Sequence, residues 1–142
     1  MRHFGIPFDE DGKIASKGQI NEKILDNLLE KIRAAKYPRA DDKSFYYGLN
    51  ELNSDTPENL LTTLSELTAI CISDFCNTFD EPHEILLHGG GAKNNFLLER
   101  LEKNIGSSLK LTDHIISAKF LESAAFAYLA FLEKGLLIEP RL

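Results

Sequence analysis

The amino-acid sequence predicts an α/β domain in which a short βαβ unit packs with several amphipathic helices, a single unit over residues 1–142. Three observations predict it. The run Glu84-Ile85-Leu86-Leu87-His88-Gly89-Gly90-Gly91-Ala92-Lys93-Asn94 reads as a buried strand, a glycine turn and a helix start. A second apolar stretch, Leu109-Lys110-Leu111-Thr112, follows after one helix of about eleven residues. Two strands joined by a helix should run parallel with a right-handed crossover. Finally, segments beginning at Asn21 and Thr56 carry apolar residues at three- and four-residue steps, the period of a helix with one covered face.

Bulk properties narrow the function. Hydrophobic residues make up 43% and charged residues 27% of the chain, ordinary for a globular domain with its own core. The net charge of −6 argues against a broad nucleic-acid or anionic-membrane surface. It does not exclude a single nucleotide, whose phosphates are held by backbone N–H groups and a bound cation. The two cysteines, Cys71 and Cys76, suggest neither a disulfide scaffold nor a metal site. His3, His83, His88 and His114 are scattered, and no metal-ligand spacing is found. No apolar run is long enough for a membrane span, and Pro7 breaks the start too soon for a signal peptide. A cytoplasmic protein, with no nucleic-acid or membrane partner, is expected.

The elements follow in order. Residues 1–18 hold Gly5, Pro7, Gly12 and Gly18 without periodicity and read as a loop; Asp9-Glu10-Asp11-Gly12-Lys13 is an acidic turn, since Gly18 stands where a calcium loop needs its glutamate. From Asn21 a helix buries Ile24, Leu25, Leu28, Leu29 and Ile32, and it ends before Pro38. Residues 34–55 read as a loop region with a short aromatic segment, Phe45-Tyr46-Tyr47. Thr56-Pro57-Glu58 is a helix start with a capping hydroxyl, a proline at the first helical position and an acid in the first turn. The helix should run to about Asn77 on a stripe of Leu60, Leu64, Leu67, Cys71 and Phe75, with Cys71 a small core residue rather than a nucleophile. The region 84–134 is then a βαβα core. Asn94 or Asn95 caps its first helix, which buries Phe96, Leu97, Leu98, Leu101 and Ile105 and ends at a left-handed Gly106. Its last helix covers about Phe120 to Lys134, and Gly135 ends it.

The glycine turn carries the chemistry. Three glycines after a strand let the backbone turn sharply and leave room for a flat or charged ligand to approach the main chain. The next helix points unpaired N–H groups back at the turn, at the carboxyl edge of a parallel sheet where ligands bind in open α/β folds. Ala92-Lys93-Asn94 rules out a lysine phosphate loop, and the spacing rules out a dinucleotide fingerprint. A nucleotide phosphate or ribose site and a turn packed for its own sake remain the two readings. Asp113, after the second strand, reads as a cap.

Four segments together resemble one family. His88 to Leu101 resembles the C-terminal domain of anhydro-N-acetylmuramic acid kinase. Pro7-Phe8-Asp9-Glu10-Asp11-Gly12, with Ala15, Gly18 and Asn21, resembles its loop and helix start after the catalytic region. Lys43-Ser44 begins its Lys-Ser-Thr-Gly-Arg-Glu segment, and Leu121 to Ala130 resembles its last helix. The resemblance implies a partial ribonuclease H-like lobe of the actin and sugar-kinase type, with ATP or ADP and Mg²⁺ as cofactors. It implies ring cleavage of anhydro-N-acetylmuramic acid and phosphorylation at O6 in cell-wall recycling. On the same basis Gly89, Gly90 and Gly91 line the nucleotide, Asn94 caps the helix and orients that loop, and Glu122 reaches the anhydro amino sugar. The chain departs from the family at Phe45-Tyr46-Tyr47-Gly48, where an arginine and a glutamate are expected, and at Ala118-Lys119-Phe120, where an acid is expected.

The family's catalytic aspartate lies in an Asp-Thr-Gly-Pro-Gly-Asn segment that these residues do not contain. No catalytic residue is therefore assigned, and the chain is expected to be inactive alone. Its expected partners are an N-terminal kinase fragment or a second copy of itself. The alternative is a non-catalytic nucleotide-binding or self-association module derived from such a kinase.

Overall fold

The computed structural model describes residues 4–34, 54–79, 84–106, 109–112 and 116–132, apart from the side chains of residues 118 and 119. His3, Pro38, the 43–48 segment, His83, Asp113, His114 and Gly135 lie outside the described residues.

Two helices pair first. Helix α1 spans Glu22–Arg33, and the Asn21 side chain caps it by accepting from Ile24 N at 3.2 Å. Its five predicted apolar positions are all buried, and they form the core with Leu67 of α2, Pro57–Cys76. Helix α2 starts as its sequence requires, with the Thr56 hydroxyl accepting from Asn59 N at 3.3 Å and Pro57 at the first position. Asp55 joins the two starts. Its carboxylate accepts from Asn21 Nδ2 at 2.6 Å, Asn59 Nδ2 at 2.8 Å and Thr56 N at 2.7 Å. These bonds, Asn21's first, hold the Asp55 carboxyl below its usual range.

The covered surface of α2 is wider than its leucine stripe. Leu60, Leu64 and Cys71 pack against the α1 core as expected, but Phe75 is exposed. The most deeply buried positions include Thr62, Thr63, Glu66 and Ser73, a polar face that meets the N-terminal loop and a third helix. Each buried polar group is satisfied, which removes the cost of burying it. The Thr62 hydroxyl lies against the Ala15 carbonyl, and Thr63 Oγ1 accepts from Asn21 N at 2.9 Å. Ser73 Oγ donates to Asn104 O at 3.0 Å. Arg100 Nε donates to Glu66, and Asn104 Nδ2 donates to the same carboxylate at 3.2 Å. Burial pushes the Glu66 carboxyl up, but the bonds from Arg100 and Asn104 and the charges of Arg100 and Lys103 outweigh it, so it lies below the usual range.

The βαβ unit is parallel, with strand β1 (Ile85–Leu87) beside strand β2 (Leu109–Leu111) and Ile85 opposite Leu109. Between them helix α3 spans Asn95–Ile105, buries Leu101 and ends at Gly106 with φ 67°. The expected burial of β1 needs correction, because Leu86 is 46% exposed; Leu111, on the neighbouring β2, is 42% exposed. Among the described residues the sheet has two strands, so nothing covers those positions. Helix α4 spans Ala118–Leu132, starting two residues before the expected Phe120. Its aromatics are mostly exposed, Phe131 by 76%. Among the described residues no helix is long and apolar enough to cross a membrane.

The Glu66 pair yields a prediction with a definite sign. A carboxyl whose pKa is depressed by folding stabilises above its unfolded value, ordinarily 4.5, and loses that contribution as pH falls through its folded value. Glu66→Gln leaves Arg100 with a neutral partner and should cost about 3 kcal/mol at pH 7. Urea unfolding should show that deficit shrinking below pH 4.5; an equal deficit at pH 3 and pH 7, on the order of the pH 7 value, would contradict the assignment.

Candidate functional site

The glycine turn has two steps. Gly89 has φ 81° and ψ −173°, a conformation essentially confined to glycine. A 3-10 turn over Gly90–Lys93 follows, with Ala92 N donating to Gly89 O at 3.2 Å and Asn94 N to Gly91 O at 3.0 Å. Asn94, rather than Asn95, caps α3: its side chain accepts from Leu97 N at 3.0 Å. The strand therefore reaches the helix through one glycine hinge and one tight turn.

The N-terminal loop forms a wall facing this turn. Its 3-10 turns are Glu10–Gly12 and Ala15–Lys17. The Asp9 carboxylate closes the loop by accepting from Ile14 N at 2.8 Å and Ala15 N at 2.9 Å. Asp11 and Gly12 are both left-handed, at φ 58° and 71°. Asp is among the few non-glycine residues that adopt this conformation readily. Lys13 Nζ lies 3.1 Å from the Asp11 carboxylate and 3.9 Å from that of Glu10, and the bond to Asp11 raises the lysine's pKa.

Between the walls lies a cleft of about 620 Å³. Phe8, Asp9, Glu10 and Asp11 line one side; Gly90, Gly91, Lys93 and Asn94 line the other. The glycines are not equivalent. Among the described residues, a Cβ at Gly90 would meet nothing within 4 Å, and one at Gly91 would meet only Leu97 Cδ2, at 3.7 Å. Backbone geometry accounts for Gly89, whereas packing among the described residues gives no reason for glycine at position 90. A turn shaped for its own sake thus accounts for one of the three glycines.

Glu122 lies elsewhere. It is exposed on α4 and lines a second cavity of about 470 Å³ with His88, Leu121, Ala125, Phe126 and Leu129. Gly90, Gly91 and Asn94 thus share one cleft, while Glu122 joins His88, on the other side of Gly89 in the chain. His88 itself is exposed. Cys71 packs against the core, and burial pushes the Cys76 thiol up, away from thiolate chemistry. Among the described residues no three His, Cys, Asp or Glu side chains are grouped to hold a metal ion. A cation accompanying a nucleotide here would be held chiefly through the phosphates.

The sequence profile of the anhydro-N-acetylmuramic acid kinase family matches residues 1–136. The chain belongs to that family. It is similar to the anhydro-N-acetylmuramic acid kinase of Haemophilus influenzae, at 30% identity over 92% of this chain and 40% of that protein. It is similar to that of Nitrosospira multiformis at 34% identity, over 91% of this chain and 37% of the relative. For Microcystis aeruginosa the values are 32%, 87% and 36%. The chain spans about two fifths of the length of these curated relatives. The family was readable in four segments taken together, the glycine turn among them; the acidic loop as the facing wall was not, although Asp9 and Gly12 belong to one of those segments.

The unequal glycines predict unequal substitutions. Gly89→Ala should lower stability by about 1–2 kcal/mol because of its positive φ. Asn94→Ala should cost about 1 kcal/mol through loss of the cap. Gly90→Ala should change stability by less than about 0.5 kcal/mol. Thermal unfolding of the three variants checks this order, and equal losses at 89 and 90 would refute it.

Proposed function

We propose that this chain is the nucleotide-binding part of an anhydro-N-acetylmuramic acid kinase, taking ATP or ADP with Mg²⁺ in the cleft between the N-terminal loop and the Gly89–Asn94 turn. The observation that carries the proposal is the open space above Gly90, in a turn aimed at a cleft, in a chain of this family. Backbone without a Cβ admits a ribose or phosphate to main-chain distance, and the N–H groups there suit its oxygens. In this reading the two-stranded sheet is part of a larger ribonuclease H-like lobe, and Glu122 faces the anhydro amino sugar in the second cavity. Its compartment is the cytoplasm, where ATP is available.

Cleavage of the anhydro ring, which frees O6 to take the phosphoryl group, needs a base within reach of the water that attacks the ring. The Asp-Thr-Gly-Pro-Gly-Asn segment is not among these 142 residues, so they bind nucleotide without turning over substrate. The partner is the upstream kinase lobe. Exposed Leu86 and Leu111 on the sheet and Phe126 and Leu129 on α4 offer it apolar surface. A second copy of the chain on the same surface is the alternative, with the chain then a self-associating module.

Two measurements test this reading. Isothermal titration should show MgADP binding to the chain, weakened about tenfold or more by Gly90→Val, which fills the open space while unfolding remains unchanged. No binding at millimolar MgADP would overturn the nucleotide assignment. Mixing the chain with a polypeptide carrying the upstream lobe should restore ATP-dependent phosphorylation of the anhydro sugar; a stable mixed complex without turnover would overturn the split-enzyme reading.

A further inference from the structure

The cleft's second wall has no role in the reading above, and its composition is asymmetric. Phe8 stands at the cavity with 64% of its surface exposed. A lone exposed aromatic is unremarkable on a protein surface, but this one borders a cleft whose far side, at Gly90 and Gly91, is bare main chain. An aromatic side chain and a Cβ-less segment lining one cleft make a place suited to a flat ring.

Charge then fixes which end of a nucleotide enters that place. Glu10 and Asp11 lie beside Phe8, with side chains 76% and 43% exposed. Lys13 contacts both and offsets part of their charge. The carboxylates repel phosphate and accept hydrogen bonds from hydroxyl groups. Asp9 is already engaged, each of its oxygens taking a backbone N–H. Lys93, the cation among the described residues lining the cleft, is on the glycine side. Phosphates therefore belong toward Lys93, and the uncharged nucleoside belongs against the loop.

We infer that the N-terminal loop is the nucleoside-binding wall of the cleft, with Phe8 stacked on the base and the Glu10 and Asp11 carboxylates accepting from the ribose hydroxyls. The inference rests on the nucleotide reading of the cleft. Phe8 is held by its loop rather than by its own burial: the Asp9 clamp and the seat of Gly12 on the α3 cap position the segment. Stacking of this kind is tolerant of base identity, so adenine and guanine nucleotides should bind with similar affinity.

The 142-residue chain itself tests this. Phe8→Ala should weaken both MgADP and adenosine about tenfold in isothermal titration, and Phe8→Tyr should restore binding to within about twofold. The chain contains no tryptophan, so Phe8→Trp gives a single reporter. Its emission should be quenched saturably by adenosine and by MgADP, and not by pyrophosphate. Wild-type binding that Phe8→Ala leaves unchanged, or tryptophan emission indifferent to saturating MgADP, would overturn the stacking role while leaving the nucleotide site intact. Failure of Phe8→Tyr to restore binding would also overturn it. A wild-type chain that binds no MgADP would overturn both.

Discussion

The N-terminal loop lies against helix α3 because position 12 has no side chain. A Cβ there would fall on Asn94 Oδ1 and lie within 2.6 Å of Phe96 Cβ. Gly12 therefore sets how closely the acidic loop approaches the residue that caps α3 and ends the glycine turn. Its left-handed φ, together with that of Asp11, turns the chain so that Asp9, Glu10 and Asp11 reach the cleft. Gly18 repeats the device at the loop's far end, where a Cβ would meet Glu58 O of α2 at 2.5 Å. Two close approaches by glycine thus hold one loop against two helices.

Both walls of the cleft hang from α2. On one side Thr62 and Thr63 hold the loop and the start of α1. On the other, Glu66 and Ser73 hold α3 through Arg100 and Asn104. Apolar packing alone tolerates sliding by part of a turn, because its energy changes gradually. A hydrogen-bonded pair of charges does not, since a displaced partner leaves a buried group unsatisfied. Among the described residues no such atom is left without a partner. The polar face therefore fixes the spacing between loop and turn, while the leucine face against α1 supplies the bulk of the burial. The Arg33–Asp74 pair is more exposed at its arginine, and adds little to this positioning.

These roles explain what was legible in the sequence. Helix starts were, because capping is local: Thr56-Pro57-Glu58, Asn21 and Asn94 each bond within three residues. The left-handed stop at Gly106 was legible for the same reason. The polar face of α2 was not, since Thr62, Thr63, Glu66 and Ser73 resemble a solvated surface until their partners are known. Those partners come from the N-terminal loop and α3, distant in sequence. Gly89 announced itself through its neighbours, but the space above Gly90 is a property of what packs nearby. The strands misled in the opposite direction. Ile85-Leu86-Leu87 is apolar enough for a buried strand, and Leu86 is nevertheless exposed among the described residues.

That exposure divides the structure into two parts with different support. Helices α1, α2, α3 and the loop share a closed set of contacts: a leucine core, satisfied polar pairs and capped ends. The sheet and α4 present Leu86, Leu111, Phe126 and Leu129 to solvent, and a two-stranded sheet has little stability of its own. The cleft beside Gly90 and Asn94 is attached to the first part, while the cavity holding Glu122 is attached to the second. That cleft therefore draws on contacts these residues already make. The cavity at Glu122 borders surfaces that the described residues leave exposed, in a chain that spans about two fifths of the length of its curated relatives. The two cavities thereby differ in support: the one beside Gly90 rests on packed, satisfied contacts, and the one at Glu122 rests on exposed apolar surface.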